Sequence, residues 1–214
     1  MLLQWVLIIG ESDKLKLSLQ IAVLSGNEQS SGSSGGSSSD ASTVISVDCS
    51  SIESGISLIN SYISKQINLS HCKAIIMSEE FAYNGVSDVI YTLVTNVQIR
   101  PDCNIIISKC AASDYLEQSS PIFESNPANY YELILNSTEY SGYVADIYLY
   151  DFYSSILSTS SEACAILGGI NTEETQKQDT NSTQSLDGNY KPGETPITSK
   201  NNVESIGSAV FVRR

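Results

Sequence analysis

Two short clusters carry the side chains best suited to chemistry. His71 precedes Cys72, a base beside a nucleophile, and Glu79 precedes Glu80, a pair of carboxylates. Adjacent residues of a strand point to opposite faces, so His71 cannot take the Cys72 proton. Adjacent residues of a helix diverge by about 100°, and the helix dipole explains acidic groups in a first turn. We therefore predict no catalytic residues, and we expect His71 to anchor the start of a strand through a hydrogen bond.

The cysteines do not form a metal-binding pattern. The sequence has no C-x-x-C pair and a single histidine, so we predict no metal and no cofactor. Most of the cysteines are expected to be small buried hydrophobic residues. The sequence does not decide whether Cys72 forms a disulfide with Cys103 or Cys110. The five cysteines are Cys49, Cys72, Cys103, Cys110 and Cys164.

The composition predicts a folded, acidic protein. Its 214 residues are 41% hydrophobic and 16% charged, enough for one substantial domain with a core. The net charge is −13 and the 11 Lys and Arg residues are scattered. This argues against nucleic acid as a partner and against a basic face for anionic lipid.

The first predicted elements form an antiparallel hairpin. Leu15–Val23 alternates apolar and polar residues, the pattern of a strand with one face in water, and Gly10–Lys14 should connect it to strand Trp5–Ile9. Leu2–Ile9 is far shorter than the roughly 20 residues that span a bilayer. The Gly- and Ser-rich segment 25–42 lacks the lysine of a phosphate-binding loop and is predicted to be a flexible loop.

A strand–helix–strand unit is predicted next. Strand Thr43–Cys49 is followed by Ser50 and Glu53, which have the spacing of a capping box at a helix start. Four isoleucines then recur at helical spacing and form one apolar stripe. Strand Cys72–Ser78 completes the unit. The isoleucines are Ile52, Ile56, Ile59 and Ile63.

A second unit begins where the first one ends. Ser78 is the predicted cap of a short helix, and Asn84-Gly85 is its predicted stop. An apolar helical stripe spans residues 86–94, and strand Asn104–Ser108 has the uninterrupted apolar character of a buried parallel strand. The two units together place three parallel strands in one sheet.

Helices and strands alternate less regularly after that. Three helices and two strands are predicted. Tyrosines are dense in this part of the chain, and core packing accounts for most of them; a partner surface lined by some of them is the alternative interpretation. The helices are Ala111–Gln118, Pro127–Asn136 capped by Asn126, and Ile147–Leu157 opened by Asp146; the strands are Ala163–Leu167 and Val203–Val212.

These elements predict an α/β (α+β) fold. We expect a mixed sheet with consecutive βαβ units, an N-terminal antiparallel hairpin and helices packed on the sheet. Residues 1–170 should form the main domain, and the polar segment 171–202 should be a linker or an excursion. Residues 203–214 should be a closing strand or the start of a truncated second domain.

The segment from residue 70 to residue 110 resembles a known family. A Ser-His-x-Lys sequence at Ser70 opens a strand, a glutamate pair and a helix closed by Gly85 follow, and a turn with Arg100 precedes the next strand. This order resembles the amino-terminal region of the Ger(x)C family, the lipoprotein C subunits of spore germinant receptors. The resemblance extends to Leu15–Ala22, Ala112–Ile134 and Ile206–Arg214.

The resemblance implies a non-enzymatic role in nutrient-triggered spore germination. Family members work on the spore inner membrane with a polytopic A subunit and a transporter-like B subunit. It implies no catalytic residues, cofactor or metal. The family's lipoprotein signal, its lipidated cysteine and its carboxy-terminal domains have no counterpart in this sequence, so the chain itself is expected to be soluble.

An alternative function follows from the predicted fold. The carboxyl ends of parallel strands commonly host ligands, and Ser78 and Ser108 stand at two such ends. A small-molecule-binding α/β module is therefore the second interpretation.

Overall fold

The described part of the chain is built around one seven-stranded sheet. The computed structural model describes residues 5–10, 15–22, 42–63, 66–119, 127–171, 190–197 and 202–212. The strands follow the order β3-β2-β1-β4-β5-β6-β7 across the sheet. They are β1 (Trp5–Gly10), β2 (Leu15–Ala22), β3 (Ser42–Cys49), β4 (Cys72–Ser78), β5 (Asn104–Ser108), β6 (Ala163–Ile170) and β7 (Val203–Phe211).

The middle of the sheet is parallel and both margins are antiparallel. Strands β1, β4, β5 and β6 run in one direction, whereas β2 and β3 on one side and β7 on the other add antiparallel pairs. The predicted mixed sheet, βαβ units and amino-terminal hairpin are confirmed. The crossover from β3 to β4 passes over the hairpin, because β2 and β1 lie between these two strands.

Six α-helices connect and cover the described strands. They are α1 (Ile52–Tyr62), α2 (Glu79–Tyr83), α3 (Ser87–Thr95), α4 (Ala112–Glu117), α5 (Pro127–Leu135) and α6 (Leu149–Leu157), with short 3₁₀ turns at Leu69–His71 and Ser137–Glu139. No helix among the described residues is both long enough and apolar enough to cross a membrane.

The sheet separates two hydrophobic cores. The first core lies under α1, α3 and α6 and includes Ile59, Ile90 and Phe152. The second lies under α4 and α5 and includes Tyr115 and Tyr131. Burial of both sheet faces explains why the central strands are continuously apolar rather than alternating.

The prediction that one face of β2 is exposed to water is wrong. Leu17 and Leu19 are buried in the first core, as the alternation requires, but Ser18 and Gln20 on the opposite side are also buried. Strand β2 lies inside the sheet, and the Ser18 hydroxyl meets the Ser46 hydroxyl of β3 at 2.7 Å. A hydrogen bond between neighbouring strands lets this polar side chain be buried.

Helix α1 begins one residue later than predicted. The capping box joins Ser51 and Ser54 instead of Ser50 and Glu53: the Ser54 N–H donates to Ser51 Oγ at 3.2 Å, and the Ser51 N–H donates to Ser54 Oγ at 3.1 Å. This start places Ile52 in the core, where it is buried. The predicted isoleucine stripe is confirmed.

The predicted ends of α2 are confirmed. The Phe81 N–H donates to Ser78 Oγ at 3.3 Å, and Gly85 has a φ of 106°, which L-residues with a side chain rarely adopt.

The predicted start of α6 is wrong. Asp146 does not open the helix, because Tyr148 forms a bridge with Asn104 that keeps the chain extended up to Leu149.

The carboxy-terminal elements of the described chain join the same sheet. Strand β6 is longer than predicted, and β7 pairs with it antiparallel. Residues 190–197 lie in the polar segment and pack against these two strands, with Thr195 buried. The division into domain, linker and closing strand stays a prediction. The predicted flexible loop lies outside the described residues apart from Ser42, and the predicted Asn126 cap lies outside them altogether.

Candidate functional site

A cleft opens at the carboxyl ends of the parallel strands. It has a volume of about 300 Å³. We call it the carboxyl-edge cleft. Its lining residues are Lys16 and Ser18 of β2, Ser78 of β4, Glu79 and Glu80 of α2, and the segment Lys109 to Ser113 that leads from β5 into α4.

The strands and helices place both signs of charge in this cleft. Ser18 and Ser78 are buried and form its floor, whereas Glu80 and Lys109 are exposed at its rim. The Lys109 ammonium donates to the Pro192 carbonyl at 3.5 Å, which ties the rim to the 190–197 segment. Two lysines, two glutamates and several hydroxyl groups make the cleft suited to a small polar molecule rather than to an apolar one.

A cysteine lies at the same edge but is not activated for nucleophilic chemistry. The Cys110 thiol lies 3.0 Å from the Ser108 hydroxyl. Burial raises the pKa of Cys110 above its ordinary value, so the thiol stays protonated at neutral pH.

A second cleft opens at the opposite edge of the sheet, where β4 and β5 begin. Its volume is about 130 Å³, and we call it the amino-edge cleft. Its lining residues are Ser70, His71, Cys72, Lys73, Arg100, Asp102, Asn104, Glu132, Asn136 and Tyr148.

Two ion pairs organise the amino-edge cleft. Lys73 Nζ lies 2.8 Å from Glu132 Oε1 and joins β4 to α5, and Arg100 Nη2 lies 2.8 Å from Asp102 Oδ2 in the turn before β5. All four side chains keep substantial exposure to solvent. Such pairs contribute at most about 1 kcal/mol each to folding, so their positions shape a polar surface more than they stabilise the fold.

Asn104 and Tyr148 form the remaining wall of this cleft. The buried Asn104 amide donates to the Ile147 carbonyl at 3.3 Å and holds the chain ahead of α6. A hydrogen bond with Asp146 raises the pKa of Tyr148, so this phenol remains neutral under ordinary conditions.

A known protein family matches most of the chain. The family described as the spore germination protein N-terminal domain matches residues 6–172, more than half of the chain. The chain belongs to this family. It is therefore involved in spore germination, and the resemblance to the amino-terminal domain of the Ger(x)C proteins is confirmed. No curated protein and no solved structure matches the chain.

The first of the two clusters that suggested chemistry pairs a half-buried imidazole with a buried thiol. Cys72 is buried, and its thiol donates to the Ala74 carbonyl at 3.5 Å. His71 makes no side-chain hydrogen bond within the described residues, so the expected anchor is not observed. The Asn68 side chain instead caps the turn before β4 by accepting from the Ser70 N–H at 2.9 Å.

Glu79 and Glu80 lie in the first turn of α2, as predicted. Glu79 accepts from the Tyr83 hydroxyl at 3.4 Å, whereas Glu80 is exposed. Within the described ranges, no three His, Cys, Asp or Glu residues are close enough to hold a metal ion.

Sequence reasoning found the Ser70–Lys73 motif but missed the acidic and amide groups opposite it. Asp102, Asn104 and Glu132 complete the amino-edge cleft. Asn104 carried a usable signal, because an amide at the head of an apolar strand needs a specific partner. Glu132 carried none, since 59 positions separate it from Lys73.

Proposed function

We propose that this chain is a non-enzymatic subunit of a spore germinant receptor. It acts through protein–protein contacts with the receptor's A and B membrane subunits at the spore inner membrane, in nutrient-triggered germination. The observation that carries the proposal is the family match over residues 6–172.

The amino-edge cleft is the proposed contact surface. Three residues of the family resemblance, His71, Lys73 and Arg100, line this cleft, whereas the glutamate pair of that resemblance lines the carboxyl-edge cleft. The exposed ion pairs of the amino-edge cleft can exchange a partner within the chain for one across an interface, because both members of each pair already reach solvent. Polar rims of this kind set the specificity and the rate of association.

The contacts inside the cleft favour binding over catalysis. Lys73 and Arg100 are each paired with a carboxylate, and the Cys72 thiol is buried and hydrogen-bonded to a carbonyl. A catalytic site would instead place a nucleophile within reach of its base.

A gene deletion tests the receptor role. Spores that lack this protein should lose nutrient-triggered germination when the other germinant receptors have also been removed. A non-nutrient trigger that bypasses the receptors should still work in the same spores and serves as the control. An unchanged response to nutrients would defeat the proposal.

The carboxyl-edge cleft supports a second candidate function, the binding of a small polar molecule. Its size of about 300 Å³ and its position at the ends of β4 and β5 favour this reading. The amino-edge cleft is less than half as large.

Thermal unfolding in the presence of amino acids and sugars separates the two candidates. A bound ligand should raise the melting temperature in a saturable way, and Lys109→Gln at the rim should weaken that rise. Arg100→Gln is the matched control, since it removes one positive charge at the opposite edge. No shift with any compound of the panel would contradict the second candidate.

A further inference from the structure

Cys72 and Cys103 lie close together at the starts of two neighbouring strands, offset by one residue along the strand direction. Cys72 is the first residue of β4, and Cys103 directly precedes β5. The two strands are parallel neighbours whose register begins with Ala74 opposite Asn104. Both cysteines belong to the first core, on the same face of the sheet.

The Cys103 thiol lies against Cys72. It donates to the Cys72 carbonyl at 2.9 Å. Both side chains are at most 3% exposed, and all five cysteines of the chain are free. Neighbouring strands bring Cα atoms within the separation that a disulfide requires.

Cys110 and Cys164 are placed where they cannot replace either member of this pair. Cys110 follows the carboxyl end of β5, and the length of that strand separates it from Cys72 by on the order of 20 Å. Cys164 is flanked by Ala163 and Ala165, which both face the first core, so strand alternation turns Cys164 to the other face.

We propose that Cys72 and Cys103 form an intramolecular disulfide when the protein meets a low-molecular-weight disulfide oxidant. One cysteine thiolate attacks the oxidant and releases a small thiol, leaving a mixed disulfide on the protein. The second cysteine attacks the protein sulfur of that mixed disulfide and releases the second small thiol. The two cysteines lose two electrons and two protons, and the oxidant gains them.

This bond would act directly on the amino-edge cleft. Cys72 lines that cleft, and Cys103 immediately follows the turn that holds the Arg100–Asp102 ion pair. A disulfide would therefore tie the Ser70–Lys73 segment to the Arg100–Asp102 turn. Oxidation state would then set how freely the two walls of the proposed contact surface move.

The environment of the pair sets the conditions for the reaction. The hydrogen bond with Cys72 and burial raise the pKa of Cys103 well above its ordinary value. Since the thiolate is the reactive form, oxidation should be slow at neutral pH and should accelerate as the pH rises.

Mass spectrometry of the oxidised native chain tests the proposal. The full chain is incubated with hydroxyethyl disulfide, the remaining thiols are alkylated, and the digested protein is mapped. We expect a peptide pair joined through Cys72 and Cys103, with the other three cysteines alkylated. The oxidised chain should melt about 5–15 °C higher, because the bond closes the loop from residue 72 to residue 103.

Two variants make the result specific. The triple variant Cys49→Ser, Cys110→Ser, Cys164→Ser should still form the bond, whereas Cys103→Ser should not. Disulfide mapping of the unmodified chain tests the proposal even if neither variant folds. Five alkylated cysteines after oxidation, or a bond that joins Cys72 to Cys110 or Cys164, would overturn the proposal.

Discussion

Several buried hydroxyl and thiol groups make the fold sensitive to alkali. Tyr115 and Tyr131 are fully buried in the second core, and burial raises the pKa of each well above its ordinary value. The pKa of Cys103 is raised in the first core, chiefly by its hydrogen bond with Cys72. Each of these groups is held neutral by the fold and can ionise only at higher pH than in the unfolded chain.

The free energy of unfolding should therefore fall on the alkaline side. Unfolded cysteine and tyrosine ionise near 9.0 and 10.0, whereas the folded groups do so only above those values. Their stabilising effect is complete below the unfolded pKa and is lost as the pH rises toward the folded pKa. Urea unfolding at about pH 8 and about pH 10.5 should show the loss.

A variant identifies the source of this loss. Cys103→Ala should reduce the difference in unfolding free energy between the two pH values, because it removes one of the raised groups. An equal free energy at both pH values in the unmodified chain would contradict the explanation.

Gly168 of β6 lies against a rigid aromatic ring. A Cβ atom added there would lie 2.8 Å from Tyr115 Cε2 and 3.0 Å from Ile106 Cγ2, inside normal contact distance. The Tyr115 ring is buried and fixed by a hydrogen bond to the Ser205 hydroxyl at 2.9 Å, so it cannot move aside freely.

Gly168→Ala should destabilise the protein by about 1–3 kcal/mol. The measurement is urea unfolding at neutral pH. Gly142→Ala is the matched control, because a Cβ at Gly142 would contact nothing within 4 Å. Equal stabilities of the two variants would contradict the packing argument.

One polar cluster holds residues 190–197 against strands β6 and β7. The buried Asn171 amide donates to Glu204 Oε1 at 2.7 Å and to the Thr195 carbonyl at 2.9 Å. The Gly193 N–H donates to Glu204 Oε2 at 2.8 Å, and the Thr195 hydroxyl also donates to Glu204. The segment thus depends on two side chains, one at the end of β6 and one within β7.

Asn171→Ala should release this segment. Loss of the amide leaves the Glu204 carboxylate and the Thr195 carbonyl short of a donor, which should cost about 1–3 kcal/mol of unfolding free energy. Limited proteolysis of the native protein should then cut first within residues 190–197. Asn202→Ala is the control, because the Asn202 amide makes an exposed contact with Gln118. Unchanged cleavage in Asn171→Ala would contradict this role.

Local patterns predicted most elements, because a helix stripe, a cap and a strand alternation depend on neighbouring residues. The isoleucine stripe of α1, the Ser78 cap and the Gly85 stop could all be identified in that way. The burial of Ser18 could not, since it depends on β3 lying beyond β2 in the sheet. The clefts also required the fold, because β4, β5 and α5 meet only through long-range packing.

At the scale of the whole molecule, the sheet separates two chemically different edges. The carboxyl edge has the larger cleft and the Glu79–Glu80 pair, whereas the amino edge has the Ser70–Lys73 motif and Arg100. Lys109 and Arg100 are exposed cations at the two edges, so reversing each charge changes one edge and spares the other. This pair of substitutions therefore tests whether the amino edge, rather than the carboxyl edge, is the surface that we propose to contact receptor subunits.

The most direct test is co-purification of the whole protein with co-expressed A and B receptor subunits. Quantitative mass spectrometry of complexes captured through the A subunit should find this protein in stoichiometric amounts. Arg100→Glu should lower that amount several-fold and Lys109→Glu should leave it unchanged, because a reversed charge at an interface opposes association. A folded protein that is absent from the captured A and B subunits would contradict the account.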